Sequence, residues 1–189
     1  MTSSFPACNI YWFQPSYDRF SSFSQSERMT ITEYNRCVDH YADGMFRFIL
    51  KNYRDEEKSK DIVQESFLRL WEKVAEVSFE KARSYLFTTA YHTMIDAIRK
   101  EKFWEDTPAT WHEGQTGEIG FSDVKQVLDQ ALRLLPEIQR SVILLRDYEG
   151  YSYQEIGEIT RLNESQVKVY IYRARVFLKN YIGKLENVI

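Results

Sequence analysis

The sequence predicts an all-α protein: two small helical domains joined by an irregular linker, the second containing a helix-turn-helix. Three observations lead there. Apolar residues recur at helical spacing over most of the chain from Tyr34 to Leu178. That pattern fails between Glu101 and Ser122, where Pro108, Gly114, Gly117 and Gly120 fall among acids. Two cap signatures then flank a short turn near the C-terminus, Ser152 with Glu155 and Asn163 with Gln166. The organisation that follows is an irregular leader over residues 1–28, a helical domain over 29–102, an acidic linker over 103–122 and a second helical domain over 123–189.

The leader, MTSSFPACNIYWFQPSYDRFSSFSQSER, is rich in Ser and aromatics and has no helical period. It lacks a basic start followed by a long apolar run, so it does not read as a signal peptide. Met29 opens the helical pattern, which raises the reading that translation starts there and that residues 1–28 are not native.

In the first domain, Thr32 is the candidate cap of a helix carrying Tyr34, Val38 and Tyr41. Phe46, Ile49 and Leu50 carry the pattern on, in the same helix or after a bend at Gly44. The charged run RDEEKSKD reads as a solvated turn and a helix start, where acids suit the dipole. In the next helix Ile62, Val63, Phe67, Leu70, Trp71 and Val74 make one apolar stripe. The opposite face carries Asp61, Glu65, Leu68 and Glu72, with Gln64 beside them. Leu68 is an apolar residue set among acids. A single exposed Leu usually means nothing, but this one also suits the anchor of an acidic-rimmed protein contact.

After a polar break from Glu76 to Arg83, a helix from about Ser84 to Lys100 carries Leu86, Ala90, Met94, Ala97 and Ile98 inward. Tyr85, Thr88, Thr89, His92, Asp96 and Arg99 lie off that stripe, and Lys100 and Lys102 follow. Aromatic, hydroxyl and basic groups on one surface suit single-stranded nucleic acid, through stacking and phosphate attraction. A mixed polar face without a ligand fits the same spacing.

In the second domain Pro136 suits a first helical position, followed by Ile138, Val142 and Leu145. Gly150 marks that helix's end. Ile156 and Ile159 form the inner face of a short helix opened by Ser152, and the turn at Arg161 and Leu162 leads to the helix that Asn163 opens. Two such helices make a helix-turn-helix. Val167, Ile171, Ala174 and Leu178 point inward on the last helix, while Gln166, Lys168, Val169, Tyr172 and Arg173 point elsewhere. Arg161, Lys168, Arg173, Arg175, Lys179 and Lys184 face a single acid, Glu164, over this stretch. Positive charge is thus gathered on the helix that this motif offers to a DNA major groove. An ordinary three-helix core with a solvated basic face reads the same from pattern alone.

Composition limits the alternatives. The net charge of the 189 residues is −3, so the chain does not coat DNA, and any DNA contact is local or needs a partner. No apolar run approaches the length of a membrane span. Cys8 and Cys37 show neither metal-ligand spacing nor a disulfide framework. His92 and Asp96 have the spacing of two metal ligands on one helix face, but no further ligand accompanies them. No phosphate-binding loop, zinc-protease or nucleophile-elbow motif is present. The reading is therefore of a non-enzymatic protein with no cofactor, metal or catalytic residue.

Three segments together resemble the extracytoplasmic-function (ECF) sigma factors of the bacterial sigma-70 family. DIVQESFLRLWE resembles region 2.2, ARSYLFTTAYHTMIDAIRK resembles regions 2.3 and 2.4, and LPEIQRSVILLRDYEGYSYQEIGEITRLNESQVKVYIYRAR resembles region 4. The order and spacing hold from about Tyr34 to Leu185. The resemblance implies a cytoplasmic promoter-specificity factor of RNA polymerase. Its first domain would dock on the β′ coiled coil through Asp61, Gln64, Glu65, Leu68 and Glu72. It would hold the melted −10 strand with Arg83, Tyr85, Thr89, His92, Arg99 and Lys100, beside the stretch from Val77 to Arg83. Its second domain would dock on the β flap and read the −35 element with Gln166, Lys168, Val169, Tyr172 and Arg173, with Arg175 and Lys179 near phosphates. The acidic linker resembles those that run through the polymerase interior, and an anti-sigma factor is an expected partner. Tyr85 stands where many members have Trp, Gly157 replaces a usual Ala, and Arg161 and Asn163 replace a common Gly and Ser. Tyr170 and Tyr172 alter the DNA-facing helix, so promoter sequence does not carry over from other members. The alternative is a helix-turn-helix regulator acting without polymerase, which leaves the Leu68 face unused.

Overall fold

The computed structural model describes residues 29–105 and 124–186. The readings made on residues 1–28 and 106–123 lie outside the described residues. The described chain forms seven α-helices and no strand. They are α1 (Ile31–Tyr53), α2 (Glu56–Glu72), α3 (Phe79–Glu105), α4 (Val124–Leu134), α5 (Glu137–Asp147), α6 (Tyr153–Thr160) and α7 (Glu164–Glu186). The first three pack on one another as an N-terminal unit, and the last four as a C-terminal unit.

The cap of α1 is Thr30 and not Thr32. The Thr30 hydroxyl accepts the Glu33 N–H at 3.2 Å, and the Glu33 carboxylate accepts the Thr30 N–H at 2.7 Å. Two orphan donors are satisfied by this reciprocal pair. The helix then runs through Gly44 without a break. Gly44 is buried, and a Cβ there would sit 3.2 Å from Glu149 Oε2, so the glycine admits the C-terminal unit rather than bending the helix. Asp55 caps α2 by accepting the Lys58 N–H at 3.0 Å. Ile62, Phe67 and Leu70 are buried, as the stripe requires. Ser59 and Ser66 join them, each donating to the carbonyl four residues back, at 2.5 Å and 2.7 Å.

α3 begins five residues before Ser84 and continues past Lys102. It is apolar on two faces. Leu86, Ala90 and Met94 are buried as expected, but so are Phe87, Tyr91 and Ile95, a second stripe with the same four-residue step. The physical reason is tertiary: α3 packs on α6 as well as on α1 and α2. Phe87 meets Tyr151 edge-on with ring centroids 5.3 Å apart, and Phe48 lies 5.9 Å from it on the α1 side. In the C-terminal unit Pro136 occupies the cap position, one residue earlier than expected, and α5 is buried from Arg140 to Leu145. Gly150 turns the chain with φ +74°, in the left-handed region that suits glycine. The Ser152–Glu155 capping box of α6 is formed. The Asn163–Gln166 pair opens α7 in the same manner, at 2.8 Å and 3.0 Å.

The two units share one core, and a polar node joins them. Asn52 of α1 accepts from the Ser141 hydroxyl at 2.9 Å and from Arg140 Nε at 3.4 Å, while its own amide donates to the Phe48 carbonyl at 2.8 Å. Arg140 also donates to the carbonyls of Asn52, at 3.3 Å, and Arg133, at 3.5 Å. All three side chains are buried, and desolvation pushes the Arg140 guanidinium down to about 10. Lys51 pairs with Asp129 at 2.5 Å, Arg54 donates to the Arg133 carbonyl at 2.7 Å, and Arg83 lies over the Tyr151 ring at 4.2 Å.

The helix-turn-helix depends on a close backbone approach. The Leu162 N–H bonds the Gly157 carbonyl at 3.1 Å, and a Cβ at Gly157 would meet the Leu162 carbonyl oxygen at 2.7 Å. Alanine exceeds glycine by about 1 kcal/mol in a helix interior, but that contact forces the turn to move. Gly157→Ala will therefore lower the melting temperature instead of raising it, and thermal unfolding of the two proteins checks the sign.

Candidate nucleic-acid interface

Three surfaces carry the candidate residues. The first is the outer face of α7. Val167, Ile171 and Ala174 bury its inner side, Tyr170, Phe177 and Leu178 flank it half-buried, and the candidate residues lie on the outer side. Lys168 turns back to Glu164 at 2.6 Å and lies 5.5 Å from the centre of the Tyr153 ring. Arg175 makes two bonds to Asp147, at 3.2 Å and 2.5 Å, and these hold its guanidinium above the usual arginine value. Gln166 has its side-chain oxygen on the Asn163 N–H. Val169 and Tyr172 stand exposed, at 45% and 70%, and Arg173 and Lys179 are exposed with them.

The second surface is an open pocket between α2 and α3. Tyr85, Thr88, Thr89 and His92 line one wall, and Arg69, Glu72 and Lys73 the other. Arg161, the left-handed residue that ends α6, closes it from the C-terminal unit. The Tyr85 hydroxyl donates to the Arg69 carbonyl at 3.4 Å. Burial lowers the His92 imidazole, and the Arg161 guanidinium pushes the same way; Asp96 opposes. His92 Nε2 and Thr93 Oγ1 are buried and meet no partner among the described residues.

Tyr85, Thr89 and His92 thus come together. Arg83 does not join them: it reaches the other way, onto Tyr151 and the Glu149 carbonyl. Arg99 and Lys100 are exposed beyond the pocket, Arg99 lying 3.8 Å from Asp96. Nor does the stretch from Val77 to Arg83 form the wall, because Val77 and Ala82 are buried in the core. Arg69, Lys73 and Arg161 were not singled out for this surface from the sequence. Arg69 lies in the last turn of α2 and Lys73 caps its end four residues on, a signal the pattern held, whereas Arg161 arrives only through the packing of the two units. Among the described residues no group of three His, Cys, Asp or Glu gathers as a metal site, so the His92–Asp96 pair stands without further ligands.

The third surface is the outer face of α2. Leu68 is 44% exposed, while Phe67 and Leu70 on either side are buried. Asp61, Gln64 and Glu72 are exposed around it, and Glu65 pairs with Arg69 at 2.8 Å.

A basic helix-turn-helix, an open aromatic pocket and an acidic-rimmed apolar anchor on one helical chain define a DNA-binding factor built to work with a protein partner. Comparison with known proteins names the family. Residues 37–103 match the Sigma-70 region 2 family, and residues 125–178 match Sigma-70, region 4. RNA polymerase sigma factor YlaC of Bacillus subtilis is 27% identical over 154 residues, covering 76% of this chain and 88% of that protein. The ECF RNA polymerase sigma factor SigM of the same organism is 26% identical, covering 80% and 94%. The sigma factor RpoE of Bartonella quintana, solved in complex with the anti-sigma factor NepR, superposes with a TM-score of 0.66 at 20% identity. That alignment covers 81% of this chain and 98% of the neighbour. The chain belongs to the sigma-70 family, among its ECF members, and is an RNA polymerase sigma factor of transcription initiation.

The phase of α2 yields a direct test. Leu68→Ala removes no core contact and will leave stability within about 0.5 kcal/mol. Leu70→Ala, two residues on, will cost about 2–5 kcal/mol. Denaturant unfolding of both variants checks the pair; a Leu68 loss of the Leu70 size would put Leu68 in the core.

Proposed function

We propose a division of labour among the three surfaces. The outer face of α2, with Asp61, Gln64, Glu65, Leu68 and Glu72, binds core RNA polymerase at the β′ coiled coil. The pocket of Tyr85, Thr89 and His92 takes an unstacked base of the melted −10 strand, with Arg83, Arg99 and Lys100 engaging its backbone. The outer face of α7 reads the −35 duplex, and the C-terminal unit docks on the β flap. In this reading residues 29–102 act as region 2, residues 123–189 as region 4 and the acidic stretch between them as a polymerase-interior linker. The protein works in the cytoplasm, without catalysis of its own; no described helix is long and apolar enough to cross a membrane. The observation that carries the proposal is Leu68, a large apolar side chain held in solvent among acids by a helix whose core face is already complete.

Arg83 and Arg161 add a condition. Both are engaged at the junction of the two units, Arg83 on Tyr151 and Arg161 at the mouth of the pocket. A promoter strand gains the pocket and the Arg83 guanidinium when the units part. The RpoE neighbour was captured with an anti-sigma factor, and we carry a partner of that kind over to this chain, acting on the same equilibrium.

Charge around Leu68 speeds encounter, and the buried anchor slows dissociation. Leu68→Ala will weaken binding to core polymerase at least about tenfold, a loss of roughly 1.4 kcal/mol. Unchanged affinity would remove this role and favour the regulator that acts without polymerase. Stacking of a base on one aromatic contributes about 1–3 kcal/mol, so Tyr85→Ala will impair promoter melting more than duplex binding. Permanganate reactivity of the −10 thymines, set against duplex affinity, measures the difference.

A further inference from the structure

Two of the basic residues on the face that α7 turns outward are paired with acids of the protein itself. Lys168 is drawn to Glu164 and the Tyr153 ring, and Arg175 is drawn to Asp147. Gln166 is held by the cap, its oxygen accepting the Asn163 N–H at 3.0 Å, which fixes where its amide can point. Part of what α7 directs to solvent is apolar. Val169, Tyr172 and Val176 are 45%, 70% and 40% exposed. Their spacing of three and four residues sets them in one line along the helix. The line is about 10 Å long at 1.5 Å per residue, the span of about three base pairs. Arg173, exposed beside it, supplies the charge that brings a phosphate backbone to this face.

An apolar line of this kind finds one apolar partner in a major groove, the 5-methyl group of thymine. We propose that α7 selects its promoter by thymine methyls, with Val169 and Tyr172 as the specificity-determining residues. The inference rests on the reading of α7 as the −35 helix and deepens it: the −35 element of this protein carries thymines, on either strand, at the base pairs that face those two side chains. Packing of the two units leaves the line open, since these exposures hold with the whole described chain in place.

Deoxyuridine tests this directly, because it keeps thymine's pairing and removes only the methyl. A randomised −35 library is first selected with holoenzyme assembled from the full chain and core polymerase. Each −35 thymine of the selected promoter is then replaced in turn by deoxyuridine. Loss of one contacted methyl should weaken binding about fourfold. Val169→Ser and Tyr172→Ala lie on an exposed face and should each abolish the uridine effect at one position while leaving the others. A cytosine introduced at that position should bind better when it carries a 5-methyl group. A selected −35 element that is sequence-specific but indifferent to every uridine overturns the methyl reading alone. Selection of no −35 sequence at all overturns the placement of α7 on DNA, and the methyl reading with it.

Discussion

Asn52 is the residue on which the arrangement of the two units turns. Both ends of its side chain are engaged: the oxygen takes Ser141 and Arg140, and the nitrogen donates to the Phe48 carbonyl of its own helix. Arg140 is left as a buried cation hydrogen-bonded to carbonyls and an amide, while the Glu137 carboxylate favours its charged form. Desolvation of a charge of that kind is expensive, and neutral acceptors offset it only in part. The node therefore fixes how α5 seats on α1, and the apolar core that the two units share supplies the depth of the seat.

The same packing explains why one pocket contains residues from both ends of the chain. The α2–α3 hairpin supplies Arg69, Lys73, Tyr85, Thr89 and His92, and the turn of the helix-turn-helix supplies Arg161. Arg161 sits there because it ends α6 in the left-handed conformation, with φ 59°. A residue other than glycine is disfavoured at that dihedral. In exchange, its guanidinium reaches the mouth of a surface with which its own domain shares no local structure.

Local chemistry was legible and long-range chemistry was not. The caps at Ser152 and Asn163 could be read because each partner lies three residues away, and the outward phase of Leu68 and Tyr172 follows from the helical period. Thr30 was missed although its partner Glu33 lies as close, because the apolar period becomes visible only at Tyr34 and pulled the start toward Thr32. The second stripe of α3 was present in the sequence at Phe87, Tyr91 and Ile95. It reads as a mixed face until another unit is known to cover it. Gly44 and Gly157 looked like a bend and a propensity loss. Each instead meets an atom from outside its own helix, Glu149 in one case and the Leu162 carbonyl in the other. The Arg175–Asp147 pair belongs to the same class, since its partners lie 28 residues apart. Where a side chain is already spent is knowledge that only the folded chain holds.

Phe87, Tyr91 and Ile95 carry one more consequence. Withdrawal of the C-terminal unit would bare this ridge on the helix that also carries Tyr85, Thr89 and His92. Water is a poor host for such a surface, so the separated form is disfavoured unless another macromolecule covers it. On the proposed reading, the hydrophobic core would then act as a concentration gauge: the share of open chains would rise with the supply of whatever covers the ridge, and a ligand that needs the open form would bind less tightly by that share.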